Sequence, residues 1–140
     1  MGPMYRCAPM RFLSLWLPVV LWAALILSAA NDQFSDKKTE GWLDRLFGRV
    51  RPEINALMRK SAHVAEYAVL SLLAWRARRT WVTPLLICLA VACADETLQA
   101  MTVTRTGSPA DVALDMCGAV GALIAVPGAR ARLVSRLRAD

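Results

Sequence analysis

Charge is scarce in this 140-residue chain: Asp, Glu, Lys and Arg together make 20% of it, and there is a single histidine. Only 7 glycines are present, which excludes a collagen-like chain. The four cysteines show no CxxC spacing and so no disulfide framework; Cys88, Cys93 and Cys117 sit in apolar runs and read as small core-filling residues, and Cys7 precedes the first run. There is no long repeat and no low-complexity tract. No motif interleaves aromatics with basic residues, so nucleic acid is not an expected partner despite a net charge of +6. No serine or cysteine nucleophile motif is present either; Ser61 and Ser108 stand near polar residues without one.

What the chain does have is apolar residues, 56% of the total, above the roughly 45–50% of an ordinary soluble domain. The mean hydropathy is +0.38. Phe12 to Ala30 is a run of nineteen residues without a charge. A hydrocarbon core ~30 Å thick takes ~20 helical residues, so this run is an expected span. Ser28-Ala29-Ala30 also offers a signal-peptide cleavage site before Asn31. The length of the run favours a retained anchor over 12–30.

Three further apolar segments, Ser61–Trp75, Trp81–Met101 and Ala110–Val126, are interrupted by polar residues. The fold class expected is therefore all-α: a polytopic membrane bundle of about four spans, one domain over 1–140. Arginine-rich short loops face the cytoplasm, which places both termini, the basic tail 130–140 and the Arg76–Arg79 turn inside. Residues 31–60 and 102–109 then lie outside, although 31–60 carries seven basic residues against that rule. Within it, Trp42, Leu43, Leu46, Phe47 and Val50 have helical spacing, which predicts a short amphipathic helix at the interface or a loop helix packed on the spans.

The polar residues share one depth. Counted from the inner ends at 1.5 Å per residue, Glu66 lies ~18 Å up, Asp95 and Asp115 ~21 Å, His63 ~22 Å and Asp111 ~27 Å. All fall in the outer half, and the inner halves stay apolar. His63 and Glu66 are three apart with Arg59 on the same face; Asp95 and Gln99, and Asp111 and Asp115, are four apart. An isolated charge at a span's centre costs ~2.5–3.5 kcal/mol, so these stripes must face one another, a cation or a cavity. Arg59, Lys60 and Arg105 against Glu66, Asp95, Glu96, Asp111 and Asp115 leave −2. Either one or two acids stay protonated, or a divalent cation sits there, a hard one such as Mg²⁺, Ca²⁺ or Mn²⁺ suiting the donors better than structural zinc. None of these residues is assigned as a metal ligand at this point. Gly118 with Ala122, and Gly121 with Ala125, would let the last helix approach a neighbour closely.

Three blocks in this order, Arg59-Lys60-Ser61-Ala62-His63-Val64-Ala65-Glu66-Tyr67, Asp95-Glu96-Thr97-Leu98-Gln99, and Arg105-Thr106-Gly107-Ser108-Pro109-Ala110-Asp111 through Asp115 and Gly118, resemble the VanZ-like family. The motif core is about 59–121. The resemblance implies a bacterial integral protein of the cytoplasmic membrane, in a family named for a member associated with teicoplanin resistance. It carries Arg59, Lys60, His63, Glu66, Asp95, Glu96, Gln99, Arg105 and Asp111 over as matched positions. Asp115 departs from the pattern, standing where asparagine is common, as do Met101 and Val103 before Arg105.

Three functions compete on these residues. One is acid–base or metal-assisted chemistry on a lipid-linked or cell-wall head group in the outer leaflet. There His63, Glu66, Asp95, Glu96 and Asp111 would be catalytic, and Arg59, Lys60, Gln99 and Arg105 would bind substrate. The second is reversible binding of a head group, or of the glycopeptide itself, without catalysis, with membrane lipids as partners. A proton path ranks last, because the inner halves offer no matching polar groups. Against all three stands a polar network that only fixes helix packing.

Overall fold

The computed structural model describes residues 8–29, 52–101 and 108–126, and isolated positions at 128, 131, 134, 135 and 138. Among the described residues four long helices form and no strand does: α1 (Ala8–Ala29), α2 (Pro52–Arg78), α3 (Val82–Ala100) and α4 (Pro109–Ala125). The all-α expectation therefore holds. The amphipathic helix expected near 42–50 and Cys7 fall outside the described residues.

Each helix boundary has a local cause. α2 opens at Pro52, whose missing N–H is no loss at a helix start, with Glu53 in its first turn. It thus begins well before Ser61, and residues 52–60, expected in an outer loop, are helical. α2 ends where Arg79 takes a positive φ of 54° and its amide donates to the Trp75 carbonyl at 2.7 Å. The Arg79 guanidinium covers the Trp75 ring at 4.1 Å, a cation–π contact at the same turn. Ser108 caps α4: its backbone is extended and its hydroxyl accepts from the Ala110 amide at 3.2 Å, with Pro109 following.

The connection between α2 and α3 is only Arg79 to Trp81, which makes the two helices antiparallel neighbours. α2 packs most extensively against α4, and α3 lies against both. α1 leans on α2 and α3. Two side-chain bonds fix it there, from Arg76 to the Ser14 carbonyl and from Trp22 to the Glu66 carbonyl, each 3.0 Å. The core of Val19, Ile26, Tyr67, Leu70, Ala74, Cys88, Ala92 and Ala119 joins all four helices. A second cluster, Trp75 and Leu123 with Trp81, Leu85 and Val126, closes the end at the basic turn.

Gly118 sets the distance between α2 and α4, because a Cβ there would overlap the Val64 carbonyl. Gly121 meets nothing within 4 Å among the described residues, so the expected close approach of the Gly121–Ala125 pair to another described helix does not occur. Cys88 is buried as expected, but Cys93 and Cys117 are exposed on the outside of the bundle. Helical period explains this: Cys93 is five residues from Cys88, and one turn is 3.6.

α1 and α3 are long and apolar enough to cross a membrane. Phe12, Leu13, Val20, Leu21 and Leu25 of α1, and Leu86 and Leu89 of α3, face away from the core. The other two helices differ in kind. α2 runs for 27 residues, about 40 Å, and carries charges along its first half; α4 has 17 residues, about 26 Å.

Candidate functional site

The buried Asp95, Glu96, Gln99 and Asp115, together with His63 of α2, belong to three helices and lie at the end opposite the Trp75 cluster; the buried Ser71 stands one turn from Trp75 instead. α2 and α4 contribute from their N-terminal halves and α3 from its C-terminal half, as antiparallel packing requires. The contact at Gly118 does the local work. It presses α4 onto α2 at Val64, the residue after His63, and so carries Asp115, one turn away, to the histidine.

His63 is the centre of the group. Its Nδ1 lies 3.8 Å from Glu66 Oε2 and 3.9 Å from Asp115 Oδ1. A ring nitrogen of His63 and one carboxylate oxygen from each of Asp95 and Asp115 all fall within 4.8 Å of one another. The side chains of His63 and Glu66 are 33% and 32% exposed, whereas Asp115 is 1% exposed. A deep acidic floor thus meets a half-open rim that carries the two groups best suited to moving a proton.

Other expected site residues take distinct positions. Gln99 donates from Nε2 to Asp95 Oδ2 at 3.0 Å, bridging one turn of α3 and fixing that carboxylate. Glu96 accepts from the Ser108 backbone amide, so it ties the end of α3 to the start of α4. Asp111 is half-buried in the first turn of α4, one turn beyond Asp115. Arg59 is half-buried one turn before His63, and Lys60 is exposed beside it. Arg105 lies outside the described residues.

Three residues deserve a place that sequence reasoning did not give them. Asp115, counted among the cluster's acids in the sequence but not given a role in the site, is as buried as Asp95 and faces His63. Tyr67 is fully buried, and its hydroxyl has no hydrogen-bond partner among the described residues. The Ser71 hydroxyl contacts the Ala119 carbonyl across the α2–α4 seam at 3.1 Å and the Ala68 carbonyl at 2.8 Å. The signal was present in the spacing: His63, Tyr67 and Ser71 are each four apart and form one stripe along α2. An aromatic and a serine in an apolar run read as core, which hid them.

Two helices of membrane-spanning length and apolarity, α1 and α3, and a polar cluster gathered at one end are the features of the α-helical membrane class. The chain belongs to the VanZ/LLP1 family, whose model matches residues 12–130. That match takes in all of α2, α3 and α4 and most of α1. No curated protein and no solved structure matches the chain.

Proposed function

We propose that this chain crosses the bacterial cytoplasmic membrane four times with both termini inside, and that its polar end binds the anionic head group of a lipid or a lipid-linked cell-wall precursor at the outer leaflet. The observation that carries the reading is the graded site: His63 and Glu66 stand at a half-open rim above the buried Asp95 and Asp115. A network used only to pack helices has no need of a rim. Arg59, Lys60 and Arg105 would hold the phosphate or carboxylate of the head group, while Gln99 keeps Asp95 oriented. Trp22, bonded to the Glu66 carbonyl, supports an anchor helix that is retained.

If the head group is also transformed, His63 and Glu66 are the acid–base pair, with Asp95 and Asp111 orienting them. The experiment is titration of the detergent-purified protein with a lipid-linked precursor, monitored for both binding and product. Saturable binding that falls at least tenfold in Arg59→Ala and His63→Ala is expected. A product that Glu66→Gln abolishes would make the protein an enzyme, and an absence of saturable binding would refute the proposal. Raised teicoplanin tolerance in cells expressing the chain, lost in His63→Ala, is the corresponding cellular test of a resistance role.

A second reading has its own support. The Glu96–Ser108 and Gln99–Asp95 bonds are made entirely within the protein: the first ties the end of α3 to the start of α4, and the second braces α3 internally. On that reading the polar residues join helices and bind nothing. It predicts that every polar substitution lowers the melting temperature and that no ligand raises it.

A further inference from the structure

The geometry points to a divalent-cation site formed by His63 of α2, Asp95 of α3 and Asp115 of α4, taking a Mn²⁺-like ion with mixed nitrogen and oxygen donors.

The distances are the first reason. His63 Nδ1 and Asp115 Oδ1 are 3.9 Å apart, too far for a hydrogen bond. The same distance is just under twice a metal–ligand bond of ~2.1 Å, so an ion between the two atoms would bond both. The third donor, from Asp95, lies within the same 4.8 Å envelope. Three helices thus each contribute one donor, and small side-chain movements bring all three to bonding distance.

The second reason is independent of the clustering. Asp115 is 1% exposed, and neither of its oxygens has a hydrogen-bond partner among the described residues. His63 Nδ1, facing it, is likewise buried without one. Buried carboxylate oxygens are normally satisfied, and leaving them unsatisfied is more costly for a charged group than for a neutral one. Asp95 is buried beside them and adds a second negative charge. Gln99 donates to Asp95 Oδ2 and holds that carboxylate's orientation, as supporting partners of metal ligands do.

The donor set selects the class of ion. One imidazole and two carboxylates suit Mn²⁺ better than a thiolate-seeking metal. The buried Cys88 does not belong to the group, whose donors are one nitrogen and two carboxylates. Glu66 Oε2, 3.8 Å from the same Nδ1 and half-exposed, stands at the open side, where water or a head-group oxygen would complete the shell.

The cation site shares His63 with the head-group site but does not rest on it, and the two can fail separately. The test loads chelator-stripped, lipid-free protein in detergent with Mn²⁺ and reads the bound ion by electron paramagnetic resonance. About one equivalent should bind, and His63→Ala and Asp115→Asn should each weaken binding at least tenfold. Glu53→Gln, on the exposed first turn of α2, should bind as the parent does. Mn²⁺ should also raise the melting temperature of the parent and leave that of Asp115→Asn unchanged. Because asparagine removes a buried charge at constant shape, that variant should fold. Parent protein without bound Mn²⁺ at millimolar concentration, or Asp115→Asn binding it undiminished, would overturn the site. Mn²⁺ binding without any precursor binding would support the cation site while refuting the head-group proposal.

Discussion

Tyr67 and Ser71 show how little of a side chain's role its composition class reveals. Tyr67 is packed on every side, yet its hydroxyl has no hydrogen-bond partner among the described residues. Removing an unsatisfied hydroxyl restores the cost of burying it, so Tyr67→Phe should keep or raise stability by up to about 1 kcal/mol. Its melting temperature in detergent checks this, and a loss of binding at unchanged stability would place the hydroxyl in the site. Ser71 is the opposite case. Its hydroxyl joins α2 to the Ala119 carbonyl of α4, and Ser71→Ala should cost about 0.5–1 kcal/mol in the same measurement. Of the polar residues, those with charge were legible in the sequence, because a charge in an apolar run has no ordinary reason to be there. Asp115 was visible but undervalued, since its importance comes from an interhelical distance that no single-helix spacing contains. Arg105, prominent as a motif residue, lies outside the described residues.

At the scale of the helix, the number, order and antiparallel arrangement of the four long elements followed from hydrophobic runs and basic turns. Their ends followed less well. α2 starts at Pro52 because helix propensity and a favourable first turn carry it beyond the apolar stretch, whereas hydropathy sees only Ser61 onward. The two small-residue pairs of α4 looked equivalent in sequence and are not. Gly118 meets the Val64 backbone, and Gly121 faces open space. Which face of a helix meets a neighbour is a property of the bundle. Gly118→Val should therefore separate α4 from α2, cost about 1–3 kcal/mol by overpacking, and pull Asp115 away from His63. Gly121→Val, a matched change on the same helix, should stay within about 0.5 kcal/mol. Paired melting curves decide this, and equal effects would remove Gly118 as the determinant of the site.

For the whole molecule, the uneven character of the helices becomes coherent in a membrane. α1 and α3 present apolar faces outward, while α2, α3 and α4 turn the residues of the polar cluster toward one another. The polar cluster sits at one end and the Trp75–Leu123 cluster with its basic turn at the other, which gives the molecule a direction. If the polar end faces outward, a chain whose four native cysteines are replaced by alanine should report it. Glu53→Cys in that background should react with a membrane-impermeant maleimide in intact cells, and Arg78→Cys only after the membrane is opened; the reverse order would invert the topology.

The central claim is that the cluster around His63 binds a ligand and does more than join helices. The most direct measurement pairs the melting temperature and head-group affinity of His63→Ala and Glu66→Gln against the parent protein. Both residues lie at the half-open rim, where truncation leaves the packed core intact. The account predicts a melting temperature within a few degrees of the parent and an affinity at least tenfold weaker in each variant. A large fall in melting temperature with affinity unchanged would contradict it and leave the polar cluster as a packing device.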